Sequence, residues 1–301
     1  MRLEVRQLTK SFGDHEVLKG VDFAVESGHS LGLLGRNGAG KTTTIRIIMD
    51  VFSADGGEVL LDGKPFRRGD IRIGYLPEER GLYPKRLIVE QLEYLANLRG
   101  LSIADAKKSV RHWMERMELQ DYAAKKVDTL SKGNQQKIQL AVAMLNDPEI
   151  LILDEPFSGL DPVNAKLLKD IVRETIAAGK IVLFSSHQMG YVEEFCEHIV
   201  ILNQGEIVLN TSIEEHKRTY DRRHLVLDLP AAARAQALSY LQGKGIRAED
   251  TQQNIHLFVP QVKDTLPILS AMSDAGLPVE GYHVYEPTLE DIFVEYTSKA
   301  I

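Results

Sequence analysis

Residues 35–42 read GRNGAGKT and follow directly on the apolar run SLGLL (30–34). The stretch fits G-x-x-x-x-G-K-[ST] at Gly35, Gly40, Lys41 and Thr42. A triphosphate needs several backbone N–H groups converging on its oxygens, and only small residues let a chain curl that tightly. The run KTTTIRIIMDVF (41–52) reads as a helix, so its positive end points into the loop. Lys41 is then placed to neutralise phosphate oxygens, and the Thr42 hydroxyl to ligate Mg²⁺. An ordinary glycine-rich turn is the bland alternative, and the strand before and helix after the loop argue against it.

A second stretch, ILILDE (150–155), is an apolar run ending in two adjacent carboxylates. A strand of that kind releases Asp154 and Glu155 at the C-terminal edge of a sheet, where the loop also lies. Asp154 is expected to hold Mg²⁺ through water, and Glu155 to orient and deprotonate a water for in-line attack. Without the loop upstream, the pair would read equally well as a helix N-cap. With it, the catalytic reading dominates.

The 301 residues are 44% hydrophobic and 26% charged, with net charge −7. That composition suits soluble globular domains and argues against a nucleic-acid footprint across the surface. The single cysteine, Cys196, excludes an internal disulfide framework and reads as a small buried hydrophobe. The opening MRLEVRQLTK alternates like a strand and lacks the apolar core of a signal peptide. No apolar run approaches the roughly 18 residues that cross a bilayer. The expected location is cytoplasmic, with any membrane contact made through a partner.

The first 85 residues alternate β-rich runs with Gly and Asp turns, interrupted by the helix after the loop. Helical periodicity dominates from about 87 to 146. EILILDE and KIVLFSSH, separated by the helix PVNAKLLKDIVRETIAAGK, argue for a parallel sheet covered on both faces. IVILNQGEIVLN predicts a hairpin turning at Asn203–Gly205. Beyond a polar stretch at 211–223 the order is β-α-β-β-α-β, which fits a ferredoxin-like module, followed by a last helix, TLEDIFVEYTSK. The expected domains are a nucleotide-binding part over 1–216 and an accessory α+β part over 217–301.

Three further segments narrow the class. LSKGNQQKIQLAVAM (130–144) precedes the carboxylate strand, SGLDP (158–162) follows it, and SSH closes the next strand at His187. Their order resembles the ATP-binding cassette (ABC) ATPases across residues 2–215. The C-terminal extension, with YLPEERGLYP and LSKGNQQK, resembles the sodium-exporter (NatA-like) subgroup. The resemblance implies a P-loop NTPase cassette: a mixed-sheet α/β core, a helical subdomain over about 87–146 and a small ferredoxin-like C-terminal domain. It implies that Gly35, Asn37, Gly38, Ala39, Gly40, Lys41, Thr42 and Thr43 bind ATP, and that Phe12 stacks on adenine. Thr42, Glu78 and Asp154 form the expected Mg²⁺ set, and Lys41, Glu155 and His187 the catalytic set. Ser131 and Gly133 would contact ATP held mainly by a second copy of the chain, with Asp161 communicating across that head-to-tail dimer.

The implied activity is Mg²⁺-dependent ATP hydrolysis driving export through a separate transmembrane permease subunit, which docks near Tyr83, Pro84 and the helix from Ile88. No nucleic-acid partner is expected. The contrary reading is a nucleotide-timed binding module with slow hydrolysis, and a neighbouring gene with several membrane-spanning runs would favour transport. Two residues depart from the family pattern. Glu78 stands where glutamine is usual, and the signature reads Leu-Ser-Lys-Gly-Asn over 130–134 rather than Leu-Ser-Gly-Gly-Gln. Histidines other than His187 show no metal-ligand spacing and read as surface residues.

Overall fold

A computed structural model describes residues 1–78, 81–157, 160–186, 189–251 and 253–298. The chain opens with the antiparallel strands β1 (Arg2–Phe12) and β2 (His15–Glu26), then β3 (Ser30–Gly35) and helix α1 (Lys41–Ile48). Strands β4 (Gly56–Leu61), β5 (Lys64–Pro65) and β6 (Ile73–Leu76) follow. Helices α2 (Ile88–Leu98), α3 (Ile103–Arg116) and α4 (Lys132–Met144) fill the region of helical periodicity. Next come β7 (Ile150–Asp154), α5 (Pro162–Ala177), β8 (Ile181–Ser185), α6 (Met189–Phe195) and the hairpin β9 (His198–Asn203) and β10 (Glu206–Ser212).

The expected parallel sheet is present, in the order β10-β9-β3-β8-β7-β6, with β10 as its antiparallel edge. A second, antiparallel sheet runs β2-β1-β4-β5. The uninterrupted apolar character of β7 has a direct cause. Ile150 and Ile152 face the core shared with the antiparallel sheet and α1, whereas Leu151 and Leu153 face the helices on the other side. Both faces are dry, so no alternation is allowed. The β9–β10 turn falls where the sequence placed it, with Gln204 and Gly205 at φ 50° and 86°, as a two-residue primed turn requires.

After α7 (Ile213–Thr219) the strands β11 (His224–Asp228), β12 (Arg247–Asp250), β13 (Ile255–Phe258) and β14 (Gly281–Val284) alternate with α8 (Ala231–Gly243) and α9 (Thr265–Asp274). The sheet order β12-β13-β11-β14, antiparallel throughout, is that of a ferredoxin-like unit with its own core around Leu227, Leu241, Leu257 and Met272. One histidine here departs from the surface reading. His224 is buried, stacks between Phe258 and Tyr285, and lies with Nε2 3.0 Å from His256 Nδ1. Burial, and then the charge His256 would carry, push its pKa down to about 4.

The last helix, α10 (Leu289–Ser298), parts from the sequence-based domain division. The compact units are Met1–Ile213 together with the segment from Leu289, and Glu214–Thr288. Leu289 and Ile292 are fully buried in the larger unit's core beside Phe195 and Ile213, and the Leu289 amide donates to Glu193 Oε2 at 3.5 Å. The helix rejoins the first unit because its apolar stripe matches the face left by α6 and the β9–β10 hairpin. Ile292→Ala should therefore destabilise the larger unit by about 2–5 kcal/mol, read by denaturant unfolding. A loss below about 0.5 kcal/mol, typical of surface positions, would contradict this assignment.

Candidate functional site

Four strand ends and one helix start build the site. Leaving β3, the loop turns on an Ala39 amide that donates to Arg36 O at 3.0 Å and enters α1 through Gly40 at φ 109°. At Gly35 a Cβ would lie 2.6 Å from Leu202 O, so only glycine fits beside β9. No side chain caps α1, and its first-turn amides at Lys41, Thr42 and Thr43 have no carbonyl behind them within the helix. They form a ready cradle for an anion.

Lys41 is buried and donates from Nζ to Gly35 O at 2.7 Å and to Arg36 O at 3.3 Å. Burial lowers its pKa, opposed by the negative charges of Glu155, Asp154 and Glu78. All three carboxylates are thus electrostatic neighbours of one ammonium, although Glu78 itself is exposed. Asp154 and Glu155 are 3% and 7% exposed. Parallel register sets Asp154 beside Ser185, whose hydroxyl donates to Asp154 Oδ1. The next residue of each strand repeats the pairing: Ser186 Oγ donates to Glu155 Oε2 at 3.2 Å, and the Glu155 amide to Ser185 O at 2.9 Å. Glu155 takes φ 49°, an uncommon left-handed conformation for a non-glycine residue. From the opposite side Tyr75 OH donates to Asp154 Oδ2 at 3.4 Å. Burial, with the Asp154 charge second, pushes the phenol pKa up to about 12.

The signature residues form a separate constellation. Ser131 caps α4, its Oγ accepting from the Asn134 amide at 3.3 Å, and Gly133 lies in the first turn. Asp161 caps α5 by accepting from the Val163 and Asn164 amides at 3.0 and 2.9 Å. These bonds, the Asn164 amide foremost, lower its pKa. Asn164 joins the two caps: a Cβ on Gly133 would lie 2.6 Å from its Nδ2. Among the described residues no hydrogen bond or ion pair links Ser131, Gly133 or Asp161 to the phosphate loop. Phe12, expected to stack on adenine, is half exposed and therefore no core residue. The edge of Phe52 packs against its ring at 5.6 Å. His187 lies outside the described residues, as do Ser158 and Gly159 of SGLDP.

A family model described as ABC transporter matches residues 18–158. The chain is 42% identical over 296 residues to the ABC transporter ATP-binding protein YhaQ of Bacillus subtilis (strain 168), with 97% of each chain covered. The chain belongs to the ABC transporter ATP-binding proteins. It is also 34% identical over 210 residues to the linearmycin resistance ATP-binding protein LnrL of the same organism, covering 68% of each. Its fold is similar to that of the dimeric structure of MJ0796, a bacterial ABC transporter cassette (TM-score 0.63, 24% identity, 70% of this chain and 98% of that one).

Within this ABC cassette, the residues offered to Mg²⁺ fit the ion. Thr42, Asp154 and Glu78 supply only hard oxygens, as Mg²⁺ prefers. Thr44 commits its hydroxyl to Gly40 O at 3.0 Å, whereas the Thr42 hydroxyl meets no protein acceptor among the described residues. Asp154 retains acceptor capacity on both oxygens beyond its two hydrogen bonds. The sequence reading did not find Tyr75, Ser185 or Ser186, nor Gln136, whose Nε2 donates to Pro156 O at 3.2 Å and ties α4 to the segment after β7. The serines of SSH, immediately before His187, were the available signal. Because Glu78 adds charge beside Lys41 and toward the phosphates, Glu78→Gln should shift the Mg²⁺ titration of ATP hydrolysis. An unchanged titration would contradict a role for this carboxylate.

Proposed function

We propose that this cassette is the ATP-hydrolysing subunit of an exporter, working as a head-to-tail dimer beneath a separate membrane permease. The observation that carries the reading is the convergence of Asp154, Glu155 and Glu78 on Lys41 at the uncapped start of α1. Loop amides bind the phosphates of ATP. The Lys41 ammonium exchanges the Gly35 carbonyl for phosphate oxygens, which offsets its burial. Mg²⁺, when bound by Thr42, Asp154 and Glu78, neutralises phosphate charge. Glu155, held by Ser186, takes the proton from the attacking water; the γ-phosphate role of His187 rests on the sequence resemblance alone.

Two observations support dimer action. Ser131 and Gly133 begin a helix whose amides suit an anion, yet among the described residues no hydrogen bond or ion pair links them to the loop of their own chain, so a second copy's ATP is the ligand proposed. MJ0796, similar in fold, is itself a dimeric cassette. Export and the sodium-exporter subgroup rest on the sequence resemblance. No helix among the described residues is long and apolar enough to cross a membrane. The proposed place, the inner membrane face through the permease, follows from the transport reading. For docking, a cleft of about 760 Å³ lies between β6, α2 and α4, and one of about 430 Å³ is lined by Tyr83, Arg86, Glu90, Gln91 and Tyr94. Exposed Tyr83, Tyr94 and Leu98 give that surface apolar character. For the Glu214–Thr288 unit the sequence fits either dimer bracing or regulation. Truncation after Thr211 does not test this cleanly, because it also strips α10 from the core.

Replacing the base tests the reading. Glu155→Gln should lower steady-state phosphate release by about 10²–10⁴-fold while ATP still binds. Hydrolysis within a few-fold of the parent would sink the assignment.

A further inference from the structure

β7 lies between β8 and β6 in the sheet, and its last residue is the carboxylate proposed to hold Mg²⁺. Each neighbour sends one hydroxyl to it. Ser185, opposite Asp154 in the β7–β8 register, donates to Oδ1. Tyr75, opposite Ile152 in the β6–β7 register, reaches forward and donates to Oδ2 at 3.4 Å. Asp154 is 3% exposed and forms no ion pair among the described residues. The two hydroxyls are therefore the side-chain donors that orient its oxygens, with the Lys41 ammonium as its electrostatic neighbour.

Tyr75 has a second neighbourhood. Its ring is part of the wall of the 760 Å³ cleft, together with Pro77, Leu95, Gln139 and Asn146. The Asn146 side chain is 7% exposed, and its Oδ1 meets no donor among the described residues. Buried amide oxygens in native proteins are normally paired, so the cleft wall holds a polar group that an occupant can satisfy. Tyr75 thus touches both the cleft and the carboxylate, and Glu78 follows three residues later on the same segment.

We propose that Tyr75 is a positioning residue for Asp154, its hydroxyl fixing the carboxylate in the orientation that Mg²⁺–nucleotide needs. The role rests on the ATPase reading above and acts through Asp154; the phenol touches neither the reacting phosphate nor the attacking water. Groups that orient a metal-holding carboxylate commonly change metal affinity by 10–100-fold when removed.

The test measures binding, without turnover. The full-length chain is titrated with an N-methylanthraniloyl-labelled, non-hydrolysable ATP analogue across a range of Mg²⁺ concentrations and in EDTA, for the parent and for Tyr75→Phe. The Mg²⁺ concentration giving half of the gain in affinity should rise about tenfold in the variant, with affinity in EDTA unchanged. Ser185→Ala, which removes the donor to the other oxygen, should shift the titration in the same direction and serves if Tyr75→Phe fails to fold. Superimposed Mg²⁺ titrations for parent and variants overturn the proposal. Equal weakening with and without Mg²⁺ overturns it too, because that is the mark of a merely structural change. A parent that binds the analogue neither with nor without Mg²⁺ overturns the ATPase reading, whereas one that binds it but gains nothing from Mg²⁺ overturns the role of Tyr75 alone.

Discussion

Parallel pairing in register is the constraint on which the site depends. Because β3, β8, β7 and β6 run the same way, their C-terminal ends share one edge. The phosphate loop, the serine pair, the carboxylate pair and Tyr75 all arrive there without any local sequence relation to one another. A one-residue slip of β7 against β8 would exchange the Ile150/Ile152 face for the Leu151/Leu153 face and take Asp154 away from Ser185. Burial on both faces opposes such a slip, so core packing and site geometry are enforced by the same contacts.

Electrostatics within this frame are unbalanced. Lys41 is drawn toward main-chain carbonyls at the head of a helix whose dipole already favours an anion, while carboxylates crowd it from the other side. The arrangement holds negative charge apart from the cradle by only a short distance, so a polyphosphate arriving alone would meet repulsion. A divalent cation would relieve it, which is the physical reason for proposing the oxygen set of Thr42, Asp154 and Glu78 beside the loop. The unusual backbone of Glu155 and its bond from Ser186 keep that side chain at the same edge instead of folding back into the core.

Much of this was legible from local spacing. GRNGAGKT specifies its own turn, ILILDE its own strand end, and Gln204–Gly205 its own hairpin, because each needs only neighbours a few residues away. The β-α-β-β-α-β order of the second unit was legible for the same reason. Contacts between distant segments were not. Tyr75 and Asp154 lie 79 residues apart in the chain, and nothing in IRIGYL says which strand its phenol will face. The return of α10 to the first unit was equally hidden. TLEDIFVEYTSK shows an apolar stripe but not which core it completes, so adjacency in sequence suggested the wrong unit. His224 was misread because spacing alone cannot distinguish a strand residue stacked between Phe258 and Tyr285 from one in solvent.

The proposed head-to-tail dimer would bring two half-sites of each chain, the phosphate cradle and the separate pair of capped helix starts, face to face around ATP. The most direct test is light scattering of the Glu155→Gln variant with and without ATP and Mg²⁺, since that change keeps the shape of the site and removes the base. The account predicts a shift from monomer to dimer on adding ATP and Mg²⁺. A variant that binds ATP under the same conditions yet keeps the mass of a monomer would contradict it.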